Sequence, residues 1–175
     1  MSTKFMRAAV LCSLLLALTG CIFSRKPVFD IAKGATDLPV GRFEMRTPTD
    51  KHLVKLARHG SLYLYGDGQE KEQDKVILSF HAIGDAFYLI TAISPGGPIN
   101  YGVLDRRSQD KLTFVLLDCA DSTPADLVPA PNAKGTERCN AADGERLTAI
   151  ANRYKADMIA NRIEASRLVE YVRLP

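Results

Sequence analysis

Residues 75–93 read KVILSFHAIGDAFYLITAI, and this stretch carries the signal that decides the fold. Two runs rich in β-branched and aromatic residues, 75–82 and 86–93, flank Gly84-Asp85. Such runs are typical of β-strands, and a glycine between them supplies the positive φ that a tight hairpin requires. The stretch therefore predicts two adjacent antiparallel strands.

Further strand candidates lie on both sides of this hairpin at short, regular spacing. Phe43 and Met45 alternate with charged residues, and leucine alternates with tyrosine over 61–65 before the turn at 66–68. The other candidates are 53–57, 100–104, 111–118 and, near the end of the chain, 168–174. Short strands separated by turn signals predict an antiparallel meander of about six to eight strands. We expect this sheet to curve into a roll or partial barrel.

One helix is expected to cover part of the sheet. The segments 87–90 and 114–117 are apolar at every position, so something should cover their second face. Apolar residues recur at helical spacing over about residues 143–165, and Asp143 or Asn140 can cap the start. The apolar stripe consists of Leu147, Ile150, Ala151, Tyr154, Met158, Ile159 and Ile163. The expected class is α+β, with one C-terminal helix packed on a curved antiparallel sheet.

Residues 1–20 have the parts of a secretory signal. Lys4 and Arg7 precede the apolar run 8–18, which is shorter than the roughly 20 apolar residues of a membrane-spanning helix. The run ends in Leu18-Thr19-Gly20-Cys21, and these four residues resemble the lipobox of bacterial lipoproteins. The resemblance implies cleavage before Cys21 and acylation of its thiol and new amine, which anchors a protein stably in a membrane. The alternatives are an uncleaved membrane anchor or an ordinary signal peptide with a chance cysteine.

The residue after the lipidated cysteine bears on location. In Gram-negative lipoproteins, an aspartate there resembles an inner-membrane retention signal, whereas this chain has Ile22. If the source is Gram-negative, we expect the outer membrane, with the domain facing the periplasm. A Gram-positive source, surface exposure and a different sorting code remain open.

The mature chain is expected to contain a tether, residues 21–39, and one globular envelope domain, residues 40–175. Prolines and glycines punctuate the tether and no period is sustained in it, although Val28, Phe29 and Ile31 could dock on the domain. Without the signal, the chain keeps 21 of its 23 Lys and Arg residues and all 20 of its acidic residues, so its net charge is about +1. No basic stripe with interleaved aromatics is visible, so nucleic-acid binding has no support.

Two cysteines remain after processing. Cys12 leaves with the signal and Cys21 is consumed by lipid, which leaves Cys119 and Cys139. An even pair in an oxidising envelope compartment predicts a disulfide. Two buried free thiols are the alternative, and a zinc site lacks further ligands at suitable spacing.

Catalytic signals are weak. His81 lies near Asp85 across the predicted hairpin, but no motif marks a nucleophile, and a structural His–Asp contact explains the pair. Residues 108–111 match Ser-x-x-Lys in a polar turn, where the helical geometry of that motif is lost. His52 and His59 belong to a basic segment expected to be solvated. We predict no catalytic residue, no metal and no cofactor.

Three functions from different classes are consistent with these residues. The first is a non-catalytic envelope lipoprotein that binds a protein partner or supports an envelope assembly, and this is the expected role. The second is a carrier of a small apolar ligand inside the roll, and the third is a hydrolase using His81 and Asp85. The aromatic residues Tyr63, Tyr65, Phe80, Phe87, Tyr88, Tyr101 and Phe114 are expected in the core, although a pocket would draw on the same side chains.

Overall fold

The computed structural model describes residues 22–69, 71–108, 110–118, 127–129, 139–141 and 143–175. The signal segment, Cys21 and Cys119 lie outside these residues, and the side chain of Cys139 is not described. The predicted lipidation and the predicted Cys119–Cys139 disulfide therefore fall outside the described part of the chain.

The described strands are β1 (Ile22–Ser24), β2 (Gly41–Arg46), β3 (Lys51–His59), β4 (Leu62–Gly66), β5 (Val76–Ala82), β6 (Phe87–Ile93), β7 (Ile99–Asp105), β8 (Lys111–Leu116), β9 (Leu127–Pro129), β10 (Cys139–Ala141) and β11 (Val169–Arg173). The helix α1 spans Gly144–Ile159. Short 3-10 turns lie at Ile31–Lys33, Glu72–Asp74 and Ala165–Arg167.

Eight of these strands form a closed antiparallel barrel in the order β6-β5-β4-β3-β2-β11-β8-β7, and β7 pairs back with β6. The last strand closes the barrel because β11 pairs with β2 on one side and with β8 on the other. Followed once around the eight strands, the paired positions return to the first strand about 12 residues from where they started, which is the shear of the barrel. The predicted curved antiparallel sheet with one packed helix is confirmed, and the sheet is a closed barrel rather than a partial one.

The central hairpin forms where the sequence predicts it. Strands β5 and β6 pair from Ile77 opposite Ile93 to Ala82 opposite Tyr88. Gly84 in the turn has φ +120°, a conformation that side chains other than glycine rarely adopt. The expected positive φ at this glycine is therefore confirmed.

Helix α1 starts and ends at local signals. The side chain of Asp143 accepts a hydrogen bond from the backbone N–H of Arg146 at 2.8 Å, as an N-cap does. Asn140, the other predicted cap, lies in β10 instead. The helix ends at Ile159 rather than near residue 165, because Asn161 adopts a left-handed φ of 52° that terminates the helical turn.

Apolar side chains form two cores, one on each face of the barrel wall. Alternate positions of β6, β7 and β8 point outward, where α1 covers them, and the others point into the lumen. The outer core contains Ile22, Phe87, Leu89, Ile99, Tyr101, Val103, Val115, Leu117 and the α1 residues Leu147, Ile150, Ala151, Tyr154 and Met158. The inner core contains Leu38, Phe43, Met45, Val54, Leu56, Tyr63, Phe80, Tyr88, Ile90, Leu104 and Leu112. The expected cover for the doubly apolar strands is confirmed as α1.

The segment before β2 lies against the barrel. Val28 and Phe29 pack on the outer core. The docking on the domain that the sequence allows for these two residues is therefore observed. Gly34 passes so close to β5 that a Cβ there would lie 2.7 Å from the Ser79 hydroxyl oxygen. The N–H of Ala35 then donates to the carbonyl oxygen of Phe80 at 2.6 Å. We call residues 28–38 the N-terminal strap.

Three short strands extend the sheet beside β7. Strand β1 pairs antiparallel with the start of β7 and parallel with β10, and β10 pairs with β9. The backbone N–H of Ile22 donates to the carbonyl oxygen of Leu117 at 3.0 Å, so Ile22 is held on the sheet. No periodic pattern predicts these strands, because each has only three residues.

Candidate functional site

The lumen of the barrel has one end that is buried and one end that is open. Inward side chains nearest the first end have almost no exposed surface: Leu38, Phe43, Tyr63, Phe80, Tyr88 and Leu104. Toward the second end, Met45 and Val54 are also buried, whereas six inward side chains are only partly buried: Tyr65, Leu78, Ala92, Phe114, Val169 and Tyr171. We call these two groups the closed half and the open half of the lumen.

The N-terminal strap seals the closed half. The N–H of Leu38 donates to the Tyr63 hydroxyl at 3.1 Å, and the Leu38 side chain joins the inner core. The guanidinium of Arg106 donates to the Asp37 carbonyl oxygen at 2.9 Å, and the Tyr88 hydroxyl donates to the Asp37 carboxylate at 3.0 Å. Burial alone would raise the pKa of Asp37, but the hydrogen bonds from Arg106 and Tyr88 outweigh it, so this pKa is lowered. The strap is thus fixed by charge-assisted contacts.

Two tyrosines meet in the open half. The rings of Tyr65 and Tyr171 lie edge to face, with centroids 6.1 Å apart. The Tyr65 hydroxyl donates to the sulfur of Met45 at 3.2 Å. Burial, followed by the neighbouring Tyr65 hydroxyl, raises the pKa of Tyr171 well above its ordinary value, which marks a low-dielectric environment. As a whole residue, Tyr171 is only partly buried, like the other members of the open half.

Across the lumen from the two tyrosines, the Phe114 ring lies against the backbone of β7 at Gly102. Gly102 faces the lumen, and a Cβ at this position would fall within the Phe114 ring. The carbonyl oxygen of Val115 would lie 2.7 Å from the same Cβ. Only glycine therefore allows Phe114 to lie across β7 at this level.

The structure does not assemble the predicted His81–Asp85 pair. His81 is half-buried on β5, whereas Asp85 is exposed in the hairpin turn, and no hydrogen bond or ion pair joins them among the described residues. His81 instead contacts the Ser79 hydroxyl at 3.3 Å and the Phe29 ring at a centroid distance of 4.9 Å. Burial lowers the pKa of His81, and the nearby Asp30 opposes this shift.

Ser79 does not provide an accessible nucleophile beside His81. Its side chain is fully buried beneath the strap, and its hydroxyl donates to the carbonyl oxygen of Ile31 at 3.1 Å. A nucleophile needs an open approach to its substrate as well as a base. Ser79 and His81 instead contact the strap, through Ile31 and Phe29 respectively.

The other candidate residues are dispersed over the surface. His52 contacts the Asp50 carboxylate at 2.9 Å, and His59 is exposed at the end of β3. Ser108 lies in a turn, while Lys111 starts β8 and pairs with Glu170 at 2.8 Å. Within the described ranges, no three His, Cys, Asp or Glu side chains are grouped as metal ligands.

Two hollows lie on the outer surface. One, of about 570 Å³, runs over the outward side chains of Leu64, Ile77 and Ile93 and reaches Pro95. Its three aliphatic residues are direct cross-strand neighbours on β4, β5 and β6. The other, of about 500 Å³, lies between the end of α1 and strands β8 and β11, with a charged rim that includes Arg107 and Glu170. We call the first hollow the outer groove.

Comparison with known proteins adds no assignment. No family model matches the chain, and no curated protein or solved structure matches it. In the part of the chain that the structure describes, no helix has the length and apolar character needed to cross a membrane.

The sequence identifies the aromatic residues of the lumen but not their arrangement. Tyr65 and Phe114 belong to the predicted aromatic cluster. For Tyr171, the sequence predicts only a position in the last strand. Phe87 and Tyr101 point outward to α1, so the cluster is divided between the two cores. Alternation along β11 is the signal that could have identified Tyr171, since Val169 and Tyr171 share one face.

Proposed function

We propose that this protein is a lipid-anchored envelope protein whose barrel binds a small apolar ligand, without catalysing a reaction on it. The ligand site is the open half of the lumen. The observation that carries the proposal is the difference between the two halves: the inward side chains of the closed half are buried, whereas six inward side chains toward the other end keep part of their surface accessible. Concave, mostly apolar surfaces with a few polar groups are typical of small-molecule sites.

The size of the barrel supports this proposal. Eight-stranded barrels have interiors wide enough either to be filled by side chains or to hold one small ligand. Here the closed half is filled and plugged by Leu38, while the open half keeps accessible apolar surface. Removing such apolar surface from water when a ligand binds is favourable by about 25 cal/mol per Å².

A dye-binding experiment tests the proposed site. Every member of both cores lies at or after residue 22, so a chain of residues 22–175 contains the whole barrel and can be studied without detergent. Diphenylhexatriene, an uncharged dye that fluoresces in apolar surroundings, should bind this chain saturably. Ala92→Trp and Val169→Phe should each weaken binding because they fill the open half.

The matched control is Leu53→Trp. Leu53 is 54% exposed on the outside of β3, so this variant adds the same indole without entering the lumen. It should bind the dye like the wild type. Equal binding by folded Ala92→Trp, folded Val169→Phe and the control would refute the lumen as the site.

The proposed anchor has its own test. The lipobox resemblance places the acyl chains on Cys21, one residue before the buried Ile22. Cys21→Ala should accumulate as an unlipidated precursor, detected by mass spectrometry and membrane fractionation. An acylated, processed product from this variant would contradict the proposal, and inner-membrane fractionation of the wild type would contradict the outer-membrane assignment.

A protein partner is the second candidate function, and the outer groove favours it. Leu64, Ile77 and Ile93 form an aliphatic row along the outer groove, and Ile93 also packs against the outer core. Apolar rows left on a protein surface often mark contacts with other proteins. Ile77→Glu should abolish co-purification of an envelope partner while leaving diphenylhexatriene binding intact. Unchanged co-purification by the folded variant would exclude the groove.

A further inference from the structure

The open half of the lumen is distinguished by the absence of charge among its described side chains. All six of its residues are apolar or aromatic, and the Met45 side chain extends the same surface. Its polar side-chain groups are the hydroxyls of Tyr65 and Tyr171 and, on the alternation of β7, the amide of Asn100. All three are neutral at physiological pH.

The charged and titratable groups nearest the lumen already have partners. On the alternation of β3, His52 lies at the rim of the open half opposite Met45, where it contacts the Asp50 carboxylate at 2.9 Å. Arg58 and Arg173 occupy inward alternation positions at the opposite end, where they donate to the carbonyl oxygens of Thr36 and Val40 at 2.8 and 3.4 Å. Among the described residues, the one imidazole at the rim of the open half therefore already faces a carboxylate, and the two arginines lie at the other end.

A charged ligand would lose its hydration in this site without gaining a counter-charge. Burying an unpaired carboxylate or ammonium group is strongly unfavourable, whereas a neutral polar group needs only a hydrogen-bond partner. The raised pKa of Tyr171 agrees with this, because the same surroundings disfavour a charge on its own side chain.

We propose that the ligand of the open half is an uncharged amphiphile, such as a long-chain alcohol or ester, and not a fatty-acid anion or a phosphate. Its apolar body lies against Leu78, Phe114 and Val169, and its neutral polar end reaches the tyrosine hydroxyls. This inference rests on the proposed ligand-binding function and adds the chemical class of the ligand.

A competition experiment tests the ligand class. Diphenylhexatriene bound to residues 22–175 is displaced with decanol or with decanoate at pH 8, where the carboxylate is ionised. Decanol should displace the dye at a concentration at least about tenfold lower than decanoate does, because only the anion loses hydration without compensation. Equal or stronger competition by decanoate would overturn the ligand class while leaving the proposed ligand site intact.

Cationic variants separate this effect from the general preference of apolar surfaces for alcohols. Ala92→Lys and Val169→Lys each place an ammonium group in the open half, so each should shift the preference toward decanoate by about tenfold or more. Leu53→Lys places the same charge on the outer surface and should leave the preference unchanged. An unchanged preference in both lumen variants, once circular dichroism shows that they are folded, would overturn the inference. Failure of the wild type to bind the dye at all would overturn the proposed function as well.

Discussion

Gly102 faces the lumen at the level where the Phe114 ring crosses β7. Because a Cβ there would enter that ring and approach the Val115 carbonyl oxygen, Gly102→Ala requires the wall to shift. We expect a loss of about 1–3 kcal/mol in the free energy of unfolding, the usual range for overpacking, measured by urea denaturation. Gly97→Ala is the control, because its Cβ would contact Ser94 alone, with the nearest atom, Ser94 Cβ, at 3.3 Å, in a surface turn. Equal stability losses in the two variants would contradict the packing described for Phe114.

His81 should make stability depend on pH. Burial lowers its pKa in the folded protein, although Asp30 opposes the shift, so the unfolded chain binds the proton more readily. The stabilising contribution is therefore fully present above the unfolded pKa of about 6.5 and is lost as the pH falls through the lower folded value. Wild-type stability should decrease between pH 7.5 and pH 5, whereas His81→Asn should show a smaller decrease in the same urea titrations. Parallel pH profiles for the two proteins would rule out this role.

His81→Asn also separates a structural role from a catalytic one. The ring contacts Phe29 and Ser79, and it lines neither of the two hollows described on the outer surface. The substitution should therefore change stability modestly and leave diphenylhexatriene binding unchanged. Loss of an envelope phenotype in a folded, lipidated and correctly placed variant would revive the hydrolase hypothesis.

Helix α1 stabilises the barrel through one face only. Ile150 is 1% exposed within the outer core, whereas Ile159 is 50% exposed at the end of the helix. Ile150→Ala should lower the free energy of unfolding by about 2–5 kcal/mol, and Ile159→Ala by less than about 1 kcal/mol. Thermal unfolding of both variants measures the difference. Similar losses would show that α1 packs in another orientation.

The longer elements could be predicted from the sequence because each carries its own periodic signal. The hairpin of β5 and β6, the cap at Asp143 and the apolar face of α1 all lie where alternation, turn residues and helical spacing place them. Ile159 is the exception on α1, since it shares the apolar pattern but points outward at the end of the helix. The strands β1, β9 and β10 could not be predicted, because three residues are too few to show a period.

The closure of the barrel is a property of the whole molecule and could not be derived from local pattern. It depends on β11, the last strand of the chain, pairing with β2, the first strand of the barrel. The division of the lumen likewise depends on Leu38, which lies in a segment predicted as a tether and plugs one end. Both are contacts between residues far apart in the sequence, which alternation and spacing do not specify.

A methyl NMR titration of residues 22–175 with decanol tests directly whether the lumen binds a ligand. Binding in the open half predicts that the methyl resonances of Leu78, Ala92 and Val169 shift together and saturate, while those of Leu64, Ile77 and Ile93 in the outer groove remain unchanged. Val40 and Leu53, which are exposed outside the lumen, report non-specific effects. Saturable shifts confined to the outer groove, or no saturable shifts at any methyl group, would contradict the proposal that the barrel binds its ligand in the lumen.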